Sequence, residues 1–202
     1  MGRTVVSGEG DDLRLFLALA LPEPVRAELA HLRRALERRD DRWRWAPVDR
    51  IHLTVRFLGR VAAAPDRALR DAWRLAAAAS PPIAFRLRGL GAFPSESRPR
   101  VVWVGVEELD RATRLAALAA AIETAARTAG FEHEARAFRP HLTLARAARS
   151  GRPRFPGGDF EGRHIVAARE LGLYRSELLP AGPRYTRLES FPFEGCGPGE
   201  DS

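Results

Sequence analysis

Two short segments of this 202-residue chain share one pattern, His52-Leu53-Thr54-Val55 and His141-Leu142-Thr143-Leu144, each reading His-apolar-Thr-apolar. In an extended strand residues i and i+2 point to the same side, so each His shares a face with its Thr. The apolar residues Leu53, Val55, Leu142 and Leu144 then turn to the other face and can anchor in a core. An imidazole changes charge near neutral pH, and a hydroxyl can donate to an anionic oxygen. Two such strands brought together would offer two proton-transfer groups and two donors to one cleft, a kit for acid–base chemistry on a phosphate ester. With five His and seven Thr in 202 positions, two His-x-Thr segments are expected by chance only roughly 0.01–0.02 times. The duplication therefore carries information that one copy would not.

Composition narrows the chemistry. The formal charge is +7, and every basic residue is arginine because the sequence contains no lysine. Abundant Ala, Gly and Pro mark this as a general compositional bias. Its chemical consequence stands regardless: a lysyl-nucleotide intermediate, a Schiff base and a P-loop lysine are all closed to this chain. The basic excess is compatible with a polyanionic partner. Cys196 is the only cysteine, which excludes disulfides within the chain and Cys-based zinc sites. No apolar run reaches 18 residues and the start is polar, so a soluble cytoplasmic protein without a membrane segment is expected.

The elements that must position the two motifs follow from periodicity. Residues 1–12 and 194–202 read as flexible tails, leaving one domain over 13–193. Strands are expected at 13–21, at 51–58 with Gly59 closing the first motif strand, at 83–90, at 100–106, after Pro140, and at 163–174 and 184–193. Helices are expected at 24–39, 65–79 and 109–129, the last capped by Gly130. Hairpins among mixed elements would be unusual for a purely parallel sheet and indicate an α+β fold with antiparallel pairing. One sheet per half of the chain would set the motifs face to face.

The residues around the motifs resemble the 2H phosphoesterases, specifically the bacterial and archaeal RNA 2′,3′-cyclic phosphodiesterases long called 2′-5′ RNA ligases. The similarity runs from Arg14-Leu15-Phe16 through Arg44-Trp45-Ala46-Pro47, Phe57-Leu58-Gly59, Phe93-Pro94 and Val102-Trp103-Val104-Gly105. It continues with Phe138-Arg139-Pro140 and ends with Ser176-Glu177-Leu178, Pro180, Gly182 and Tyr185. The resemblance implies a bilobal fold of two mainly antiparallel sheets facing a central cleft, with helices outside. It also implies hydrolysis of a terminal 2′,3′-cyclic phosphate to a 2′-phosphate without metal or other cofactor. His52 would be the proton donor and His141 the proton acceptor, with Thr54, Thr143 and Arg146 on the phosphate. The partner would be an RNA end or a small cyclic nucleotide, and the protein a monomer.

Arg146 poses a geometric problem. Five residues beyond His141, it falls on the opposite face under strict alternation, so contact with the phosphate requires a β-bulge or a swing at the strand end. Phe16 and Trp45 are candidates for stacking a base. Trp43-Arg44-Trp45 alternation equally allows both indoles to lie against the core. The arginines of the 149–154 loop can steer RNA or be simply solvated. His31, His133 and His164 lack a following Thr, and the histidines show no metal-ligand spacing. Two rival functions stay open: ATP-independent, reversible 2′-5′ ligation by the same histidines, and a non-catalytic RNA-end or nucleotide-binding module.

Overall fold

Alternating apolar residues form strands here, and two of the three helices begin where a carboxylate receives their first free amides. The computed structural model describes residues 13–38, 40–109, 113–148, 153–179 and 182–195. Along the chain these form β1 (Leu13–Leu19), α1 (Glu23–Glu37), β2 (Trp43–Trp45), a short 3-10 turn (Val48–Arg50), β3 (Leu53–Val61), α2 (Arg67–Ala78), β4 (Ile83–Phe93) and β5 (Val101–Glu108). There follow α3 (Arg114–Thr128), β6 (His141–Ala147), β7 (Glu161–Ala168), β8 (Glu170–Leu179) and β9 (Gly182–Pro192). Asp66 caps α2 by accepting from the Leu69 amide at 2.8 Å, as an N-cap carboxylate should. Helix α3 starts later than the sequence suggests, because the Glu108 carboxylate receives the amides of Arg114 and Leu115. Gly130, at φ +88°, ends it. Its amide reaches the Arg127 carbonyl and the next amide, of Phe131, reaches Ala126, which is a Schellman cap.

All strand pairs are antiparallel, in the order β7-β4-β5-β6-β3-β1-β8-β9, with β2 on the free part of β6. The α+β antiparallel class expected from the sequence is therefore what the chain adopts. The two expected sheets are halves of one, β7-β4-β5-β6 and β3-β1-β8-β9, and their composition corrects the sequence reading. The C-terminal strands β8 and β9 join β1, so both chain ends share a half instead of each half of the chain forming its own. Residues 163–174, read as one strand, are β7 and β8 at distant places in the order. Gly59 does not end the first motif strand. It sits inside β3 at φ +76°, where the register with β1 skips Leu58. Strand β2 was missed because three residues carry too little periodicity to read.

The halves meet at one pair, Leu53 with Leu142, both fully buried. These are the residues between His and Thr in the two motifs. The core continues from there through Leu15, Leu17 and Leu19 of β1 to Trp73 of α2, which packs edge-on against Phe191. Helix α3 packs on α2 and β3, while α1 packs on β7. Each half thus has its own helical cover on the side away from the motif hydroxyls.

Candidate active site

The Leu53–Leu142 pairing sets the geometry of the site. Extending the antiparallel register by one residue in each direction places His52 across from Thr143 and Thr54 across from His141. All four side chains share the face opposite the two buried leucines, and all four are half-buried. The motifs thus form a near-symmetric quartet of two imidazoles and two hydroxyls.

Each imidazole is held in the same way. The ring Nδ1 of His52 lies 2.8 Å from the Arg50 carbonyl, and that of His141 lies 2.7 Å from the Arg139 carbonyl. A carbonyl only accepts, so both Nδ1 atoms carry hydrogen and Nε2 is the atom left for chemistry. Among the described residues neither Nε2, nor the hydroxyl of Thr54 or Thr143, has a protein hydrogen-bond partner. The repeat is therefore longer than the sequence reading recognised. It begins two residues earlier, as Arg50-Ile51-His52 and Arg139-Pro140-His141, and the leading residue contributes its backbone oxygen.

The surroundings differ. His52 stacks on Phe16, with ring centroids 4.7 Å apart, and Tyr185 meets it edge-on at 5.1 Å. Phe16 in turn stacks on Tyr174 at 5.3 Å. His141 meets Phe93 edge-on at 5.0 Å and lies near Trp103. Burial lowers the pKa of both histidines, partly offset by the carbonyl bonds, and the Arg146 charge lowers His141 further. Burial raises the Tyr185 phenol, against which the charges of Arg146, Arg50 and Arg14 act. Arg146 is thus felt both at His141 in one half and at Tyr185, which touches His52, in the other.

A bulge explains how Arg146 comes to that position. Trp103 pairs with Thr143 and Val102 with Ala145, so Leu144 is an extra residue in β6. Leu144 and Ala145 are both buried, after which the alternation is inverted and Arg146 shares the face of His141 and Thr143. Strand β3 does the same after the first motif: Ala18 pairs with Thr54 and Leu17 with Arg56, skipping Val55. The residue five beyond His52 is Phe57, half exposed at 50% and 6.1 Å from Phe16.

The expectation for Phe16 is corrected, while Trp45 is half-buried. Phe16 is only 3% exposed, so it is the floor under His52 and offers no face to a base. Trp45 packs against the core with Trp43, whose indole nitrogen donates to the Arg154 carbonyl. In Trp43-Arg44-Trp45 it is Arg44 that faces out, directly opposite Arg146. Residues 149–152 of the basic loop lie outside the described residues, as does Cys196. His133 belongs to a separate network with Glu123 and Arg56, and His31 and His164 lie outside the cleft, on α1 and β7. Among the described residues no group of three or more His, Cys, Asp or Glu is placed to hold a metal ion, and no helix is long and apolar enough to cross a membrane. Tyr185 and Tyr174, which sequence reasoning did not place at the site, carry no motif. Tyr174 is brought in by its register against Phe16, and Tyr185 from the next strand, where it pairs with Ser176 and meets Phe16 edge-on at 5.1 Å.

Comparison with known proteins identifies the family and the fold. The family model described as LigT like Phosphoesterase matches residues 19–103 and 106–185. The RNA 2′,3′-cyclic phosphodiesterase of Thermus thermophilus is 38% identical to the chain, covering 93% of it and 98% of its own length. The Escherichia coli protein of that name is 33% identical over 87% of this chain and 94% of its own. Among solved structures, TT0787 of Thermus thermophilus has a TM-score of 0.74 at 34% identity, covering 90% of this chain and 98% of that one. E. coli LigT complexed with 3′-AMP has a TM-score of 0.68 at 28% identity, covering 91% and 99%. The chain belongs to the LigT-like phosphoesterases, the 2H phosphoesterase family.

Proposed function

We propose that this protein hydrolyses the 2′,3′-cyclic phosphate at RNA ends to a 2′-phosphomonoester, by acid–base catalysis between His52 and His141. The observation that carries the reading is the Leu53–Leu142 pairing, because it sets both imidazoles and both threonine hydroxyls on one face. The relatives named RNA 2′,3′-cyclic phosphodiesterase support the substrate and the hydrolytic outcome. The 3′-AMP complex of E. coli LigT supports a nucleotide carrying its phosphate on the ribose.

In the proposed reaction neutral His141 takes a proton from water through Nε2, and the oxygen attacks phosphorus. The P–O3′ bond breaks, and protonated His52 delivers its Nε2 hydrogen to O3′. The product is a 2′-phosphate beside a free 3′-hydroxyl. The two histidines exchange protonation states, which solvent restores. The environments favour this division of labour. Arg146 disfavours a second cation at His141 and so keeps it a base. His52 lies over the face of Phe16, whose ring quadrupole acts against the loss of imidazolium that burial causes there. Thr54, Thr143 and Arg146 hold the non-bridging oxygens as charge builds on them.

The test is product analysis with an RNA oligomer ending in a 2′,3′-cyclic phosphate, with chelator present and with a 5′-hydroxyl acceptor in a second tube. A 2′-phosphate is expected. His52→Ala and His141→Ala should each lower kcat by roughly 10²–10⁴-fold. A 3′-phosphate would contradict the leaving group, loss of activity with chelator would contradict metal-independent chemistry, and accumulation of joined product would favour ligation.

A further inference from the structure

Charged residues that face each other across this sheet are generally opposite in sign. Arg86 lies opposite Glu107, Arg88 opposite Glu161 and Glu177 opposite Arg184. Two pairs break the pattern: Arg44 opposite Arg146, and Arg14 opposite Arg60. Like charges directly opposite one another destabilise a sheet unless something neutralises them. All four side chains are exposed, and among the described residues none has a carboxylate partner. Many other arginines of the chain are ion-paired, for example Arg26, Arg42, Arg74 and Arg136.

The first unmatched pair contains Arg146, already assigned to the reacting phosphate. The second has no assigned ligand. Its position follows from register: Arg14 precedes Phe16 by two residues on the same face, roughly 6–7 Å along the strand, and Phe16 underlies His52. Arg14 also pairs with Ser176, which pairs with Tyr185. Between this pair and the histidine stands Phe57, opposite Phe16 and half exposed. An accessible aromatic ring beside unpaired arginines is the combination that holds single-stranded nucleic acid, through a stacked base and a backbone phosphate.

We propose that Arg14, Arg60 and Phe57 form a subsite for the nucleotide preceding the cyclic end, with the arginine pair on its phosphate and Phe57 under a base. The inference rests on the RNA-end reading above and names the preferred substrate form, an oligonucleotide end over a cyclic mononucleotide. A free phosphate or another polyanion would use the arginines but not the ring.

The test compares a six-nucleotide RNA ending in a 2′-phosphate with a nucleoside 2′-monophosphate, measuring affinity over a series of salt concentrations and thermal midpoint for the parent, Arg14→Gln, Arg60→Gln and Phe57→Ala. Each arginine variant is expected to lose about fivefold affinity for the hexamer, at least several times its loss for the mononucleotide. The log–log salt slope for the hexamer should fall by about 0.7 per arginine removed. Because a like-charge pair is relieved, the thermal midpoint should hold or rise. Phe57→Ala should weaken hexamer binding without changing the salt slope. Equal losses for both ligands, an unchanged slope, or a lowered midpoint with RNA binding intact would overturn the subsite. An effect of the arginines with none of Phe57 would reduce it to a general anion site and contradict the stacking. Hydrolysis of the same hexamer carrying a 2′,3′-cyclic phosphate end by the parent protein reports separately on the catalytic reading. Its absence with arginine-dependent hexamer binding would remove the catalysis and leave the subsite, whereas the reverse would remove the subsite alone.

Discussion

At the scale of single residues, the site is two copies of one arrangement made unequal by their neighbours. Both histidines donate Nδ1–H to the carbonyl two residues back, so tautomer does not distinguish acid from base. In the proposed mechanism Arg146 and Phe16 make that distinction. Since burial lowers both pKa values from the ordinary 6.5, the free protein carries both histidines mostly neutral at pH 7. The profile of kcat/KM, which reports the free enzyme, should be bell-shaped with its maximum below pH 6.5. Arg146→Gln should move the limb governed by His141 to higher pH, because removing a positive neighbour makes protonation easier. It should also lower kcat/KM by roughly ten- to a hundredfold, the value of a charge-assisted bond. A profile that stays in place while activity falls would put Arg146 away from His141. The acid and base roles followed only from the family resemblance, whereas the shared face of each His and its Thr was legible in the sequence because spacing alone sets it. Tyr185 was not, since a strand register 133 residues away is what seats it near His52.

At the scale of elements, the informative features are irregularities. Leu144 and Val55 are extra residues in β6 and β3, and each inverts the alternation just beyond its motif. That is why Arg146 reaches the cleft despite its odd spacing. Sequence periodicity assumes regular strands, so it could pose the Arg146 problem but not solve it. The bulge in β3 has a second consequence, because it leaves Arg56 among buried residues at 8% exposure. There its guanidinium lies 2.5 Å from Glu123 of α3 and donates to the Phe57 and Glu132 carbonyls. Glu123 also accepts from His133 and from the Glu134 amide. Burial alone would raise the Glu123 pKa, but these donors and the Arg56 charge bring it below the ordinary 4.5. This network ties the first-motif strand to its helix. Glu123→Gln leaves a buried arginine without its counter-charge and should cost about 3–5 kcal/mol in chemical denaturation. A depressed carboxylate stabilises above its unfolded pKa and loses that contribution as pH falls through the folded value. The gap between parent and variant should therefore be full at neutral pH and shrink below about pH 4.5. A gap that persists unchanged in acid would mean that packing, not charge, holds the contact.

At the scale of the whole molecule, the fold brings two motifs 89 positions apart into one backbone pairing. The class of the fold was readable from mixed elements and turn residues. Its wiring was not, because nothing local says that β7 pairs with β4 while the strand directly after it, β8, pairs with β1 at the far end of the chain. The result is a site that belongs to neither half, with one histidine entering from each. This makes separable roles the central claim, and a change of leaving group tests it most directly. A 3′-deoxynucleoside 2′-phosphate diester whose second ester is p-nitrophenyl releases p-nitrophenolate, a stable anion that needs no proton, and has no 3′-hydroxyl to attack the phosphorus in place of water. With it, His52→Ala should retain activity within about tenfold of the parent, whereas His141→Ala should still lose roughly 10²-fold or more. Equal loss in both variants, or rescue of His141→Ala instead, would contradict the assignment of His52 as acid and His141 as base.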